Sequence, residues 1–339
     1  MNITKLLIAL VLTFALTLLI APWVLAALRR RHASQHILEI GPKWHETKAG
    51  TPTMGGIMFM IPMLVVWLTL GAADMVRGDF RMLFAVVFAT LCGMIGMVDD
   101  SVKIFKARNK GLSVRQKTLL LMIVIALYLG AMYAMDYIQD SVFIPFVNYR
   151  LPLWIFYFVV MLPLSFFFVN SVNLTDGLDG LVTCVTVPYA LAFTVIAVLL
   201  HTQSTSCQGM AIFSSAVIGG LLAFLIYNFY PAKVFMGDTG SLFLGGCVVA
   251  LAFSFDMPFL LLIAGIVYLI EGVSVILQVG YFKLTHGKRL FRMAPIHHHM
   301  EMGGKSEVRI VITMTVISLL GAILSVAAVL FYGNGYIIL

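Results

Sequence analysis

Asp99 and Asp100 stand side by side at the end of an apolar run, Met82 to Val98. A basic stretch follows at once: Lys103, Lys106, Arg108, Lys110, Arg115 and Lys117. Two carboxylates at the C-terminal end of a membrane-crossing helix meet the negative end of its macrodipole, so the pattern asks for a compensating cation. Phosphate chemistry on Mg²⁺ supplies one, with carboxylates for the metal and nearby Lys and Arg for phosphate oxygens. A solvated helix end held by its own lysines is the plainer alternative.

Four other stretches are chemically dense. Asn170 to Leu181 carries Asn173, Asp176 and Asp179 interleaved with Gly177 and Gly180 and has no basic residue. Either acid could cap the next helix, but one cap does not explain two acids and an amide. Such a glycine turn suits a base or ribose edge, or a cation. Asn228 to Ser241 contains Phe235, a possible stacking surface or interfacial anchor, and Asp238, which could cap a helix while keeping one oxygen for a metal. Lys288 to Glu301 holds His297, His298 and His299. Consecutive side chains diverge by about 100° on a helix, so these three cannot face one point. One or two could contact phosphate or move a proton, and no cysteine lies nearby to complete a zinc site. Gly41 to Gly56 is a glycine- and proline-punctuated loop, in which Gly55 and Gly56 could offer backbone N–H groups to a phosphate and Lys48 a charge. An ordinary turn with a snorkelling lysine is the alternative.

The elements that must position these residues are membrane helices. Of the 339 residues 61% are hydrophobic and 11% charged, against roughly 25% charged in soluble domains, and mean hydropathy is +1.01. The chain reads as one integral-membrane domain, 1–339, all-α and polytopic. With about 20 apolar residues per crossing, ten spans are expected near 4–28, 54–73, 82–98, 118–135, 152–169, 181–200, 210–229, 241–257, 259–282 and 309–332. The first is too long for a cleaved signal peptide. Of 22 Lys and Arg residues, 18 fall in loops after odd-numbered spans and four on the other side. The positive-inside rule then puts the odd loops in the cytoplasm and both termini outside. Every dense stretch shares that cytoplasmic side. The net charge of +7 follows from this topology, not from nucleic acid as a partner. Cys92, Cys184, Cys207 and Cys247 form no paired motif, so neither a disulfide framework nor zinc is expected. Glu271 lies inside the ninth span, with Gln278 on the same face. An intramembrane acid is a functional candidate or a packing pair.

Five strings in order resemble the polyprenyl-phosphate N-acetylhexosamine-1-phosphate transferase superfamily, and within it the phospho-N-acetylmuramoyl-pentapeptide transferase family: Lys48 to Gly56, Asp99-Asp100, Asn173 to Leu181, Phe235 to Ser241 and Ala294 to His299. The resemblance covers nearly the whole chain. Only Lys43 to Thr47 departs from the family's pattern. It implies transfer of phospho-MurNAc-pentapeptide from UDP-MurNAc-pentapeptide to undecaprenyl phosphate with Mg²⁺, giving lipid I and UMP. It also implies a bacterial cytoplasmic membrane location, a site facing the cytoplasm, and a homodimer. By position, Asp238 matches the principal Mg²⁺ ligand, and Asp99 and Asp100 the acidic pair, with Asp99 nearer the lipid phosphate. His297 matches a residue that touches phosphate or supports the carboxylates, and His298 one nearer the sugar-peptide. Lys48, Asn173, Asp176, Gly177, Leu178, Asp179, Asn228 and Phe235 match the nucleotide pocket, and Lys103 and Arg115 match phosphate contacts. A GlcNAc-1-phosphate transferase is the rival reading. A secondary transporter is more distant, because its acids would sit near the midplane, where only Glu271 does.

Overall fold

The computed structural model describes residues 1–30, 50–105, 111–201 and 207–332. The described residues form thirteen α-helices, one short 3-10 helix and one β-hairpin, joined by turns and loops. Ten of these crossings are long and apolar enough to span a bilayer: α1 (Ile3–Arg30), α2 (Ile57–Leu70) continued by short α3 (Ala72–Val76), α4 (Arg81–Phe105), α5 (Val114–Ala134), α6 (Phe156–Thr175), α7 (Leu181–His201), α8 (Gln208–Asn228), α9 (Gly237–Ser254), α11 (Ile266–Leu284) and α13 (Glu307–Tyr332). The ten expected spans are therefore all present. Short α10 (Leu260–Ala264) precedes α11, and α12 (Ile296–Met302) carries the histidines. The expected ninth span is thus broken at Gly265, which separates α10 from α11.

The packing order follows from which helices are apolar all round. Nearly every residue of α8 and α9 is buried, as expected for helices enclosed by others. Around them, α4 lies along α9, α1 and α7 flank α8, and α13 covers α7. Trp67 of α2 stacks on Phe213 of α8 at 4.2 Å and donates its indole N–H to the Phe213 carbonyl at 3.1 Å. Between α4 and α9, Gly96 leaves its place to the Asp238 carbonyl. Small residues let membrane helices approach this closely, and here they bring two acid-bearing segments together.

The third span ends later than expected. The hydropathy ends at Val98, but α4 continues to Phe105. Lys103 stands four residues after Asp99 and three after Asp100, ion-paired to both at 2.7 and 3.6 Å. Acid-before-base pairs at this spacing support a helix, so the acids sit inside α4 and not at its end. The loop over 136–151 forms a hairpin of β1 (Ser141–Ile144) and β2 (Tyr149–Pro152), antiparallel, with Ser141 opposite Pro152. Asn148 turns it in the left-handed region at φ 47°, a conformation that Asn tolerates. Arg150 of β2 pins the hairpin to Asp256 after α9 at 2.8 Å.

Candidate active site

The acid end of the bundle is assembled from α4, α5, α6, α9 and α12. Carboxylate oxygens of Asp99, Asp100 and Asp238 all lie within 4.8 Å of one another. The three are not equivalent. Asp100 Oδ2 accepts the backbone N–H of Thr239 at 2.9 Å and its hydroxyl at 2.8 Å. Thr239 is in the first turn of α9, where backbone donors lack intrahelical partners. Asp100 therefore caps α9 from a neighbouring helix. Asp99 takes the Leu112 N–H on Oδ1 at 2.7 Å, and so fixes the start of α5 against α4.

Asp238 does not cap α9, contrary to that sequence alternative: the cap is Met236 and the acid lies in the first turn, where the helix dipole favours it. Its Oδ2 meets the ammonium groups of Lys103 and Lys117, each at 2.9 Å. Its Oδ1 accepts from the Asn173 amide at 2.8 Å, and the same amide donates to Ser241 Oγ at 2.7 Å. Three carboxylates against two ammonium groups leave net negative charge. Asp99, Lys103, Leu112, Lys117, Asn170 and Asp238 line a cleft of about 710 Å³. Clustered hard oxygen donors of one sign suit Mg²⁺.

The remaining sequence candidates form a second shelf. Asp176 closes α6, and Asp179 accepts the Ala232 N–H at 2.9 Å. Leu178 is buried. Asn228 is buried as well, its amide donating to the Val234 carbonyl and accepting from Thr183, each at 3.1 Å, so it clamps the loop that carries Phe235. Phe235 is half-buried. Its carbonyl accepts the Gly55 N–H at 2.8 Å, and the Met236 carbonyl accepts that of Gly56 at 3.0 Å. Those two N–H groups, which the sequence offered to a phosphate, instead fasten the loop to α2. Arg115 is exposed on the first turn of α5, beside Gln116 and Lys117 that line the cleft. Lys48 lies outside the described residues.

The histidines diverge as helix geometry requires. His297 is fully buried and meets Glu271 at 3.0 Å, His298 meets Glu301 at 2.6 Å, and His299 accepts the Arg292 N–H at 3.1 Å. The ring of His297 abuts Gly177, where any Cβ would overlap its Nε2. Gln278 accepts the N–H groups of Leu290 and Phe291 at 3.1 and 2.8 Å, and thereby ties the histidine loop to α11.

Residues 82–256 match the model for glycosyl transferase family 4. The chain is 42% identical over 320 residues to a phospho-N-acetylmuramoyl-pentapeptide-transferase of Listeria monocytogenes, covering 94% of this chain and 96% of the relative. The same name is carried by relatives from Clostridium perfringens, 41% identical over 96% of this chain and 97% of the relative, and from Acetivibrio thermocellus, 42% identical over 95% of each. The chain belongs to the phospho-N-acetylmuramoyl-pentapeptide transferase family. The sequence does not reveal that Lys117, Thr239 and Ser241 join the acid cluster, and it leaves Glu271 open between function and packing. Lys117 sits beyond a loop that hides its spacing from Lys103, and hydroxyls in an apolar helix carry no signal of which neighbour they meet.

Proposed function

We propose that the protein transfers phospho-MurNAc-pentapeptide from its UDP carrier to undecaprenyl phosphate, releasing UMP and forming lipid I. The observation that carries this reading is the junction of Asp99, Asp100 and Asp238 with Lys103 and Lys117 at one end of a membrane bundle. One substrate is a water-soluble nucleotide and the other lives in the bilayer, so the reaction belongs where helices meet water. The bias of Lys and Arg supports a cytoplasmic orientation of that end.

In the reaction an oxygen of the lipid phosphate bonds to the sugar-linked phosphorus, and the bond from that phosphorus to the UMP oxygen breaks. Two anions must approach, so the barrier is lowered chiefly by compensating their charge and fixing their alignment. Lys103 and Lys117 supply positive charge at the cleft, and Asn173 holds Asp238 in place. Asp238, with Asp99 beside it, would hold Mg²⁺, which when bound offsets charge on the diphosphate. Asp100 keeps α9 docked so that Asp238 stays in register. The turn from Asn173 to Leu181 and the loop carrying Phe235 would receive the nucleotide.

The test incubates purified protein in detergent with UDP-MurNAc-pentapeptide, undecaprenyl phosphate and Mg²⁺, and follows UMP and lipid product. Asp238→Asn and an EDTA arm should each reduce product at least roughly 10²-fold, the scale of losing one electrostatic stabiliser of a transition state. Product with UDP-GlcNAc and none with the pentapeptide donor would overturn the substrate assignment.

A further inference from the structure

Glu271 and His297 are both completely buried, and they share one bond, Nδ1 to Oε2, at 3.0 Å. Each leaves one polar atom without a partner: Oε1 of the glutamate and Nε2 of the imidazole. Buried polar atoms are seldom left this way, and an unmet one carries a penalty of about 1–3 kcal/mol. As a purely structural couple the pair is therefore poor. The direction of the unmet nitrogen is informative. Nε2 faces the backbone of Gly177, in the turn that runs from Asn173 to Leu181. Asn173, at the start of that turn, grips Asp238. The imidazole thus has a carboxylate behind it and the proposed nucleotide turn in front.

We propose that Glu271 is a positioning residue for the transfer reaction. In this role the glutamate accepts and the imidazole donates, with the shared proton on His297 Nδ1. That bond fixes the tautomer and the ring plane, and so holds the imidazole against Gly177 and sets the position of the turn that would receive the nucleotide. A carboxylate behind an imidazole acts on the same principle in hydrolytic triads, where losing it leaves geometry intact and turnover low. The inference rests on the transferase reading given above.

The test compares Glu271→Gln, His297→Gln and the double variant with the wild type, in the UMP-release assay and by thermal melting. Glu271→Gln is expected to lower kcat at least roughly 10²-fold, within the range seen when such an orienting partner is removed, while KM for the nucleotide changes less than about threefold. The double variant should be no slower than His297→Gln alone, because residues acting as one unit are not additive. A purely structural glutamate would instead lower kcat further in the His297→Gln background, and that outcome overturns the proposal. So does an unchanged kcat in Glu271→Gln. Histidine ¹⁵N resonances of the wild type give a readout independent of activity. The signal lost in His297→Gln should report a proton on Nδ1, and a neutral ring protonated on Nε2 alone overturns the proposal. Wild-type protein that is folded but makes no product would count against the transferase reading itself, a result distinct from any of these.

Discussion

Replacing Gly177 by alanine should injure the site through one collision. The added methyl would overlap the Nε2 edge of His297. An exposed ring could swing aside, but this one is fully buried and tied to Glu271 at 3.0 Å. Retreat of the ring means losing a hydrogen bond to a charged group, about 1.5–3 kcal/mol, and forcing the methyl in without retreat costs about 1–3 kcal/mol of overpacking. Expressed in the transition state, 1.5–3 kcal/mol corresponds to roughly a 10- to 150-fold loss of turnover. Gly130 is the matched control, since a Cβ there meets nothing within 4 Å on α5. Gly130→Ala should keep full activity and gain up to about 1 kcal/mol of helix propensity. UMP release and melting temperature, measured on the same detergent samples, read both effects. Gly177→Ala combined with His297→Ala should melt like His297→Ala alone, because the space is then free. Wild-type turnover and melting in Gly177→Ala would refute the reasoning.

Lys117→Met removes one of the two ammonium groups on Asp238 Oδ2, so the cluster becomes more negative. Half-saturating Mg²⁺ should fall at least roughly tenfold while kcat also falls, given about 4 kcal/mol for close charges at intermediate dielectric; a Mg²⁺ titration of initial rates tests this. Thr239→Val deletes the hydroxyl bond to Asp100 at 2.8 Å and keeps the backbone bond. The melting temperature should drop in line with about 1.5–3 kcal/mol, with Asp100→Asn adding less in the Thr239→Val background than alone. At the opposite end of the bundle, burial lifts the Asp256 carboxyl to about 6 despite the pull of Arg150. The folded value lies above the ordinary value of about 3.9, so the native state holds that proton more tightly. Stability from this group is complete below about pH 4 and declines by about 3 kcal/mol as pH rises to about 6. Melting curves across that window should show the decline, and Asp256→Asn should remove it.

Much of this was legible in the residues because a bilayer asks for long apolar runs and the chain supplies ten of them. Helix ends were harder to read. Hydropathy stops at Val98, yet intrahelical pairing of Asp99 and Asp100 with Lys103 carries α4 to Phe105. The hairpin was missed because Ser141–Ile144 and Tyr149–Pro152 are four residues each, too short for alternation to stand out. The acid cluster could be named by residue but not divided. Only the structure distinguishes Asp100, which holds α9, from Asp99, which holds α5. Glu271 was visible as an anomaly, but its partner lies 26 residues away across an irregular loop, a distance that no periodicity bridges.

The close approach at Gly96 and Gly56 has a further consequence. A Cβ at Gly96 would strike the Asp238 carbonyl, and one at Gly56 the backbone of Gly240. The carboxylates therefore stand on main chain packed against main chain, where no side chain exists to be exchanged. The rim is different: Val114 and Thr118 line the cleft from the start of α5 and can change with little disturbance of the helices beneath, although Ser113 and Gln116 beside them cap α5. An inhibitor gripping the rim leaves the chain many substitutions by which to escape it. One resting on the floor leaves very few.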